Sequence, residues 1–129
     1  MTQNKALCST VPRVDPPAIL ERVVDACRSL FPQGIHDAYL YGSYARGEQE
    51  EGSDIDILLA VDAEEFGPYH SALAEIESDL SLEYEVLVSV VVVSLAHFRR
   101  FASALPFYRN VLREGMQYAG TEMQEKEMS

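Results

Sequence analysis

The chain has 129 residues, 47% hydrophobic and 24% charged, a balance that suits one folded domain with a real core and excludes a disordered chain. Asp and Glu total 21 against 10 Lys and Arg, a formal net charge of −11. That charge argues against holding nucleic acid by phosphate neutralisation, which needs a basic face, and against attraction to an anionic membrane.

Residues 1–14 read as a loose lead-in. Asp15-Pro16-Pro17 reads as a helix start, with Asp15 able to cap and proline tolerated in the first turn. Leu20, Val23, Val24, Cys27, Leu30 and Phe31 then recur at helical spacing, predicting an amphipathic helix over 16–31 that Pro32-Gln33-Gly34 ends. Residues 38–41 predict a short strand running straight into Gly42-Ser43, and 44–52 a helical turn followed by a loop. Residues 53–61 alternate at first and finish as a continuous apolar run, the pattern of a strand buried on both faces. A helix is predicted over 68–80, with Tyr69, Leu73, Ile76 and Leu80 on one stripe. Valine density predicts a strand over 84–94. Residues 95–114 predict a helix interrupted near Pro106. Residues 116–119 end the domain or add a short edge strand, and 120–129 form a polar tail. The fold class is therefore α/β (α+β): one domain over 15–119, with a small mixed β-sheet packed by helices.

Cys8 and Cys27 form no CxxC pair and no metal cluster with histidine. The first residues lack the long apolar stretch of a signal peptide, and the run VLVSVVVVSLA is too short to span a bilayer as a helix. A reducing cytoplasm is the expected compartment.

Two features carry chemistry. Asp54 and Asp56 open the strand over 53–61, and side chains at i and i+2 of a strand share a face. Their Cα atoms are expected roughly 6.5–7 Å apart, with Ile55 and Ile57 turned into the core. Two carboxylates so close repel each other, and a divalent cation removes that cost. Mg²⁺ takes oxygen ligands, commonly one or two carboxylates plus substrate phosphates. Two such ions about 3.5–4 Å apart stabilise both the attacking and the leaving oxygen of a phosphoryl transfer.

The second feature is Gly42-Ser43 directly after a strand. Glycine lets the backbone turn sharply and approach a ligand, the amides that follow favour an anion, and the Ser43 hydroxyl adds a donor. Arg46 follows one turn later, placed to neutralise phosphate charge or to lock the loop onto the acidic strand. Taken singly, each piece reads as an ordinary turn, a solvated strand start or a surface ion pair. Their order, with the ten residues Tyr44 to Ser53 between them, is far more specific.

Gly42-Ser43-Tyr44-Ala45-Arg46-Gly47 followed by Ser53-Asp54-Ile55-Asp56-Ile57-Leu58-Leu59 resembles the signature of the minimal nucleotidyltransferases of the DNA polymerase beta-like superfamily. The match is close over 42–59 and looser elsewhere. The resemblance implies transfer of a nucleoside monophosphate, AMP from ATP above all, to a hydroxyl, with pyrophosphate leaving. It implies that Asp54 and Asp56 are catalytic and hold two Mg²⁺ ions, and that Gly42, Ser43 and Arg46 bind the nucleotide. Small free-standing members are antitoxins of HEPN-domain toxins, some of which they modify with AMP on a tyrosine, so a HEPN partner protein is implied.

The family usually supplies a third carboxylate from a later strand. Ser89 stands there instead, a poor metal ligand and no base at neutral pH. Glu85 lies on the same face as Ser89 if alternation runs unbroken through 84–94. His36, His70 and His97 are scattered without metal-site spacing, and Tyr39 and Tyr41 read as core or rim residues, either of which could stack on a base. The run Glu48-Gln49-Glu50-Glu51 reads as a solvated loop that could meet a basic partner. Two alternatives stand beside the transferase reading: a degenerate relative that neutralises a partner by contact alone, and an aminoglycoside-type small-molecule transferase, for which 129 residues leave no second substrate domain unless association supplies one.

Overall fold

The computed structural model describes residues 15–118 except 33 and 51, so the predicted lead-in, residue 119 and the predicted tail lie outside it. Helix α1 spans Pro16–Cys27, with Pro16 in its first turn. Asp15 takes the extended N-cap conformation (φ −117°), but its side chain makes no capping bond. The spacing read from the sequence is borne out, since Ile19, Leu20, Val23, Val24 and Cys27 are all buried. The helix stops earlier than expected and tightens into a 3₁₀ turn over Arg28–Leu30 that delivers Phe31 to the core.

Strand β1 spans Ile35–Tyr41, starting earlier than predicted. The polar His36 and Asp37 hid its first residues, and the register with β2 shifts between Ile35 and Asp37. Helix α2 is the single turn Ser43–Arg46, and β2 spans Ile55–Val61 with every residue but Asp56 buried. A 3₁₀ turn over Gly67–Tyr69 leads into α3, His70–Tyr84, which runs past the predicted end. Glu85 closes α3 in the left-handed conformation (φ 57°), so β3 begins only at Val88 and spans Val88–Ser94. The predicted break near Pro106 divides α4, Leu95–Phe101, from α5, Pro106–Glu114. Met116–Gln117 is the short edge strand β4.

The sheet order is β3-β2-β1-β4, with β2 and β3 parallel and the other pairs antiparallel, so the sheet is mixed as expected. Helices α1 and α3 cover one face, over Leu40, Ile55, Ile57, Leu59 and Val88. Helices α4 and α5 cover part of the other, over Tyr39, Leu58 and Ala60. The central strand is apolar on both sides because both faces are roofed. The outer edge of β3 is tied down by α3: Val88 N–H donates to Ser81 Oγ (2.8 Å) and Val90 N–H to Glu77 Oε2 (2.7 Å), which blunts an otherwise sticky edge. Among the described residues no helix is long and apolar enough to cross a membrane.

Candidate active site

The sheet brings the two predicted features together. Gly42 leaves β1 at φ 88° and ψ −161°, a backbone region open essentially to glycine alone. A Cβ built there would stand 2.6 Å from Oδ2 of Asp56 and 3.5 Å from its Cγ. The bend therefore lies directly on the carboxylate. Ser43 opens α2, and the amides of Ala45 and Arg46 both donate to the Gly42 carbonyl, which holds the turn closed.

Asp54 is exposed just before β2, and Asp56 is half-buried at its second residue. Ile55 and Ile57 are fully buried on the α1–α3 side, so Asp56, between them in β2, belongs to the opposite face. Burial first, and the Asp54 charge second, push the Asp56 carboxyl above its usual range. Asp56 pairs in register with Tyr41 on one side and Ser89 on the other. Burial, then the charge of Asp56, pushes the Tyr41 phenol up to about 12.

Ser89 thus occupies the position on β3 from which a third carboxylate would meet Asp56. Glu85 does not replace it. It is the exposed cap of α3 rather than a strand residue, so alternation along β3 does not carry it onto the face of Ser89. Among the described residues no group of three or more His, Cys, Asp or Glu side chains could hold a metal ion. What remains is the pair Asp54 and Asp56, the second with its carboxyl raised, beside a backbone bend, which fits a cation shared with incoming phosphates better than one held by protein alone.

Arg46 does not lock the loop onto the acidic strand: the glutamates it pairs with lie elsewhere. Its Nε donates to Glu48 Oε1 (2.9 Å) and its Nη1 to Glu114 Oε1 (3.4 Å), tying α2 to the end of α5. His97 sits away from the carboxylates, its Nδ1 2.8 Å from the Tyr108 hydroxyl and its ring against Phe101. Cys27 is a free, buried thiol. Sequence reasoning missed Phe107. This exposed ring meets Tyr41 edge-on, centroids 5.3 Å apart, across a contact between α5 and β1 that no local pattern announces.

The family model described as a nucleotidyltransferase domain matches residues 20–118. A Methanocaldococcus jannaschii protein named a protein adenylyltransferase is 34% identical over 96 residues, 74% of this chain and 90% of that protein. Another of the same naming and organism is 44% identical over 64 residues, 45% of this chain and 63% of its own length. Among solved structures, a toxin–antitoxin crystal structure with AMP-PNP is similar at TM-score 0.55 and 23% identity, covering 82% of this chain and 77% of that one. The complex of a tri-AMPylated Shewanella oneidensis HEPN toxin with its MNT antitoxin is similar at TM-score 0.52 and 19% identity, covering 87% and 78%. At such identities these two speak for the fold. With the family model spanning most of the chain and the site motif in place, this chain belongs to the nucleotidyltransferase domain family.

Proposed function

We propose that the protein is an Mg²⁺-dependent adenylyltransferase that moves AMP from ATP to a hydroxyl of a partner protein, as the antitoxin of a HEPN-domain toxin in the cytoplasm. The observation that carries this reading is the seating of the Gly42 bend on the Asp56 carboxylate, which brings the glycine turn and a cation ligand to one point. The names of the relatives support the reaction, and the toxin–antitoxin neighbours support the partner.

Asp54 and Asp56 would hold magnesium. When bound, the ions supply Lewis-acid stabilisation of charge on the phosphoryl oxygens. Gly42 keeps the backbone clear of the phosphates, and the Ser43 hydroxyl donates to them. The acceptor hydroxyl attacks the α-phosphorus, a P–O bond forms, the bond to the β-phosphate breaks and pyrophosphate leaves. The hydroxyl proton passes to a base on the acceptor side, because Asp54 and Asp56 would both be engaged by the metal. Arg46 holds α2 against the end of α5 through Glu114 and adds positive charge beside the Ser43 turn.

Incubation with α-labelled ATP, Mg²⁺ and the product of the adjacent gene should label that product. No labelling, with Asp54→Ala and Asp56→Ala still neutralising the toxin, would overturn the catalytic reading. Ser89 beside Asp56 favours a second one, a binding module that acts by contact, whose complex forms without regard to ATP, Mg²⁺ or either aspartate.

A further inference from the structure

Phe107 and Tyr41 make an aromatic step beside the carboxylates. Tyr41 is the register partner of Asp56, and Phe107 meets the Tyr41 ring at 5.3 Å and 80° while remaining 41% exposed. Pro106 opens α5 and fixes where the next residue leaves the helix start. Tyr108 behind it is buried, with its ring 5.9 Å from Phe107. Phe107 is therefore braced on two sides and open on the side that faces solvent.

A triphosphate gripped between Ser43 and the aspartates leaves its nucleoside tethered within a short reach. An open, braced aromatic ring packed on Tyr41, the register neighbour of Asp56, suits the flat face of a nucleobase. From this geometry we propose that Phe107, supported by Tyr41, is the surface on which the base of the nucleoside triphosphate stacks. The inference rests on the reading above. Stacking reads the π-face that every base has, so this surface adds affinity with little choice among bases.

Calorimetric titration with ATP, GTP and inorganic tripolyphosphate, each with Mg²⁺, tests it on the wild type, Phe107→Ala, Phe107→Tyr and Asp56→Asn. Phe107→Ala should weaken ATP and GTP alike, by about tenfold, the scale of one lost base–aromatic stack. Tripolyphosphate binding should stay at the wild-type level, and Phe107→Tyr should retain most of the nucleotide affinity. Phe107→Ala gives up two ring contacts and should melt modestly below the parent but still cooperatively, which confirms a folded sample, while Phe107→Tyr should melt close to the parent. Unchanged ATP affinity in Phe107→Ala, with Asp56→Asn defective, overturns the stacking role and leaves the triphosphate site standing. A raised KM for the protein acceptor with unchanged nucleotide affinity also overturns it, and gives the ring to the acceptor instead. Failure of the wild type to bind either ATP or tripolyphosphate sinks both this inference and the reading under it.

Discussion

Gly42 and Asp56 are in contact range across the end of the β1–β2 pair: the missing Cβ of the glycine is the space that Oδ2 of the aspartate occupies. Any side chain at residue 42 must strain the backbone, displace the carboxylate, or both. Gly42→Ala is expected to cost about 1–3 kcal/mol from the backbone conformation alone, read from the denaturant midpoint. It should also abolish Mg²⁺–ATP binding, because the shifted carboxylate can no longer share a cation with phosphate. Adding Asp56→Ala should recover part of the lost stability, a non-additivity that contacting residues show and distant ones do not. Strict additivity would mean that the two do not touch.

Ser89 is the register neighbour of Asp56 on β3, and Cβ atoms of registered neighbours project to the same face. Ser89→Asp should therefore add the carboxylate that the site lacks. The expected result is tighter Mg²⁺ binding and faster AMP transfer, by up to about 10²-fold, the low end of what a positioned base contributes. The metal-free protein should melt lower, since a third like charge joins the pair. A variant with unchanged metal affinity and rate would show that residue 89 does not face the site.

Much of this was legible beforehand for a physical reason. Buried elements carry strong periodicity, so α1 and β2 stand out, and Asp56 shows by alternation which way it faces. The start of β1 was hidden because His36 and Asp37 break the apolar pattern where the register shifts. The α3–β3 boundary was misplaced because Tyr84, Val86 and Leu87 are good strand residues, and only the left-handed turn at Glu85 shows that the chain changes direction there. Ser89 was legible as a gap because it follows from strand pairing. Phe107 and the Arg46–Glu114 pair were not, since each joins segments far apart in the chain and no local pattern encodes such contacts.

The carboxylate pair should cost the metal-free fold stability. Asp56 has its carboxyl raised in the folded state by burial and by Asp54, so at intermediate pH the native state binds more protons than the unfolded one. Stability then falls as pH rises from the unfolded value, about 3.9, through the folded one, and the full penalty is present above both. Asp56→Asn removes it. Without metal, this variant should melt above the parent at pH 7, and the gap should narrow as pH falls toward about 4. With Mg²⁺ and ATP the order should reverse, because only the parent gains from a ligand that binds the native state. Thermal melts across that pH series, with and without Mg²⁺–ATP, check both halves.

Cys27 reports on whether α1 stays seated on the sheet. It is fully buried, and burial first, then the charge of Glu77, pushes its thiol up to about 11. Only the thiolate reacts with iodoacetamide, and at pH 8 a thiol of that pKa is ionised to roughly one part in a thousand, against about a quarter for a free cysteine at 8.5. In a Cys8→Ser background, alkylation of the native protein should therefore run at least about 10²-fold slower than in guanidinium. Its rate should climb with pH well beyond the point where a free thiol levels off. A core-loosening substitution such as Val23→Ala, which removes buried methyls on the same helix face, should speed the reaction at fixed pH by raising the open population. Fast labelling of the unaltered protein at pH 8 would mean that α1 opens readily and that the wall behind the active-site sheet is far looser than its packing indicates.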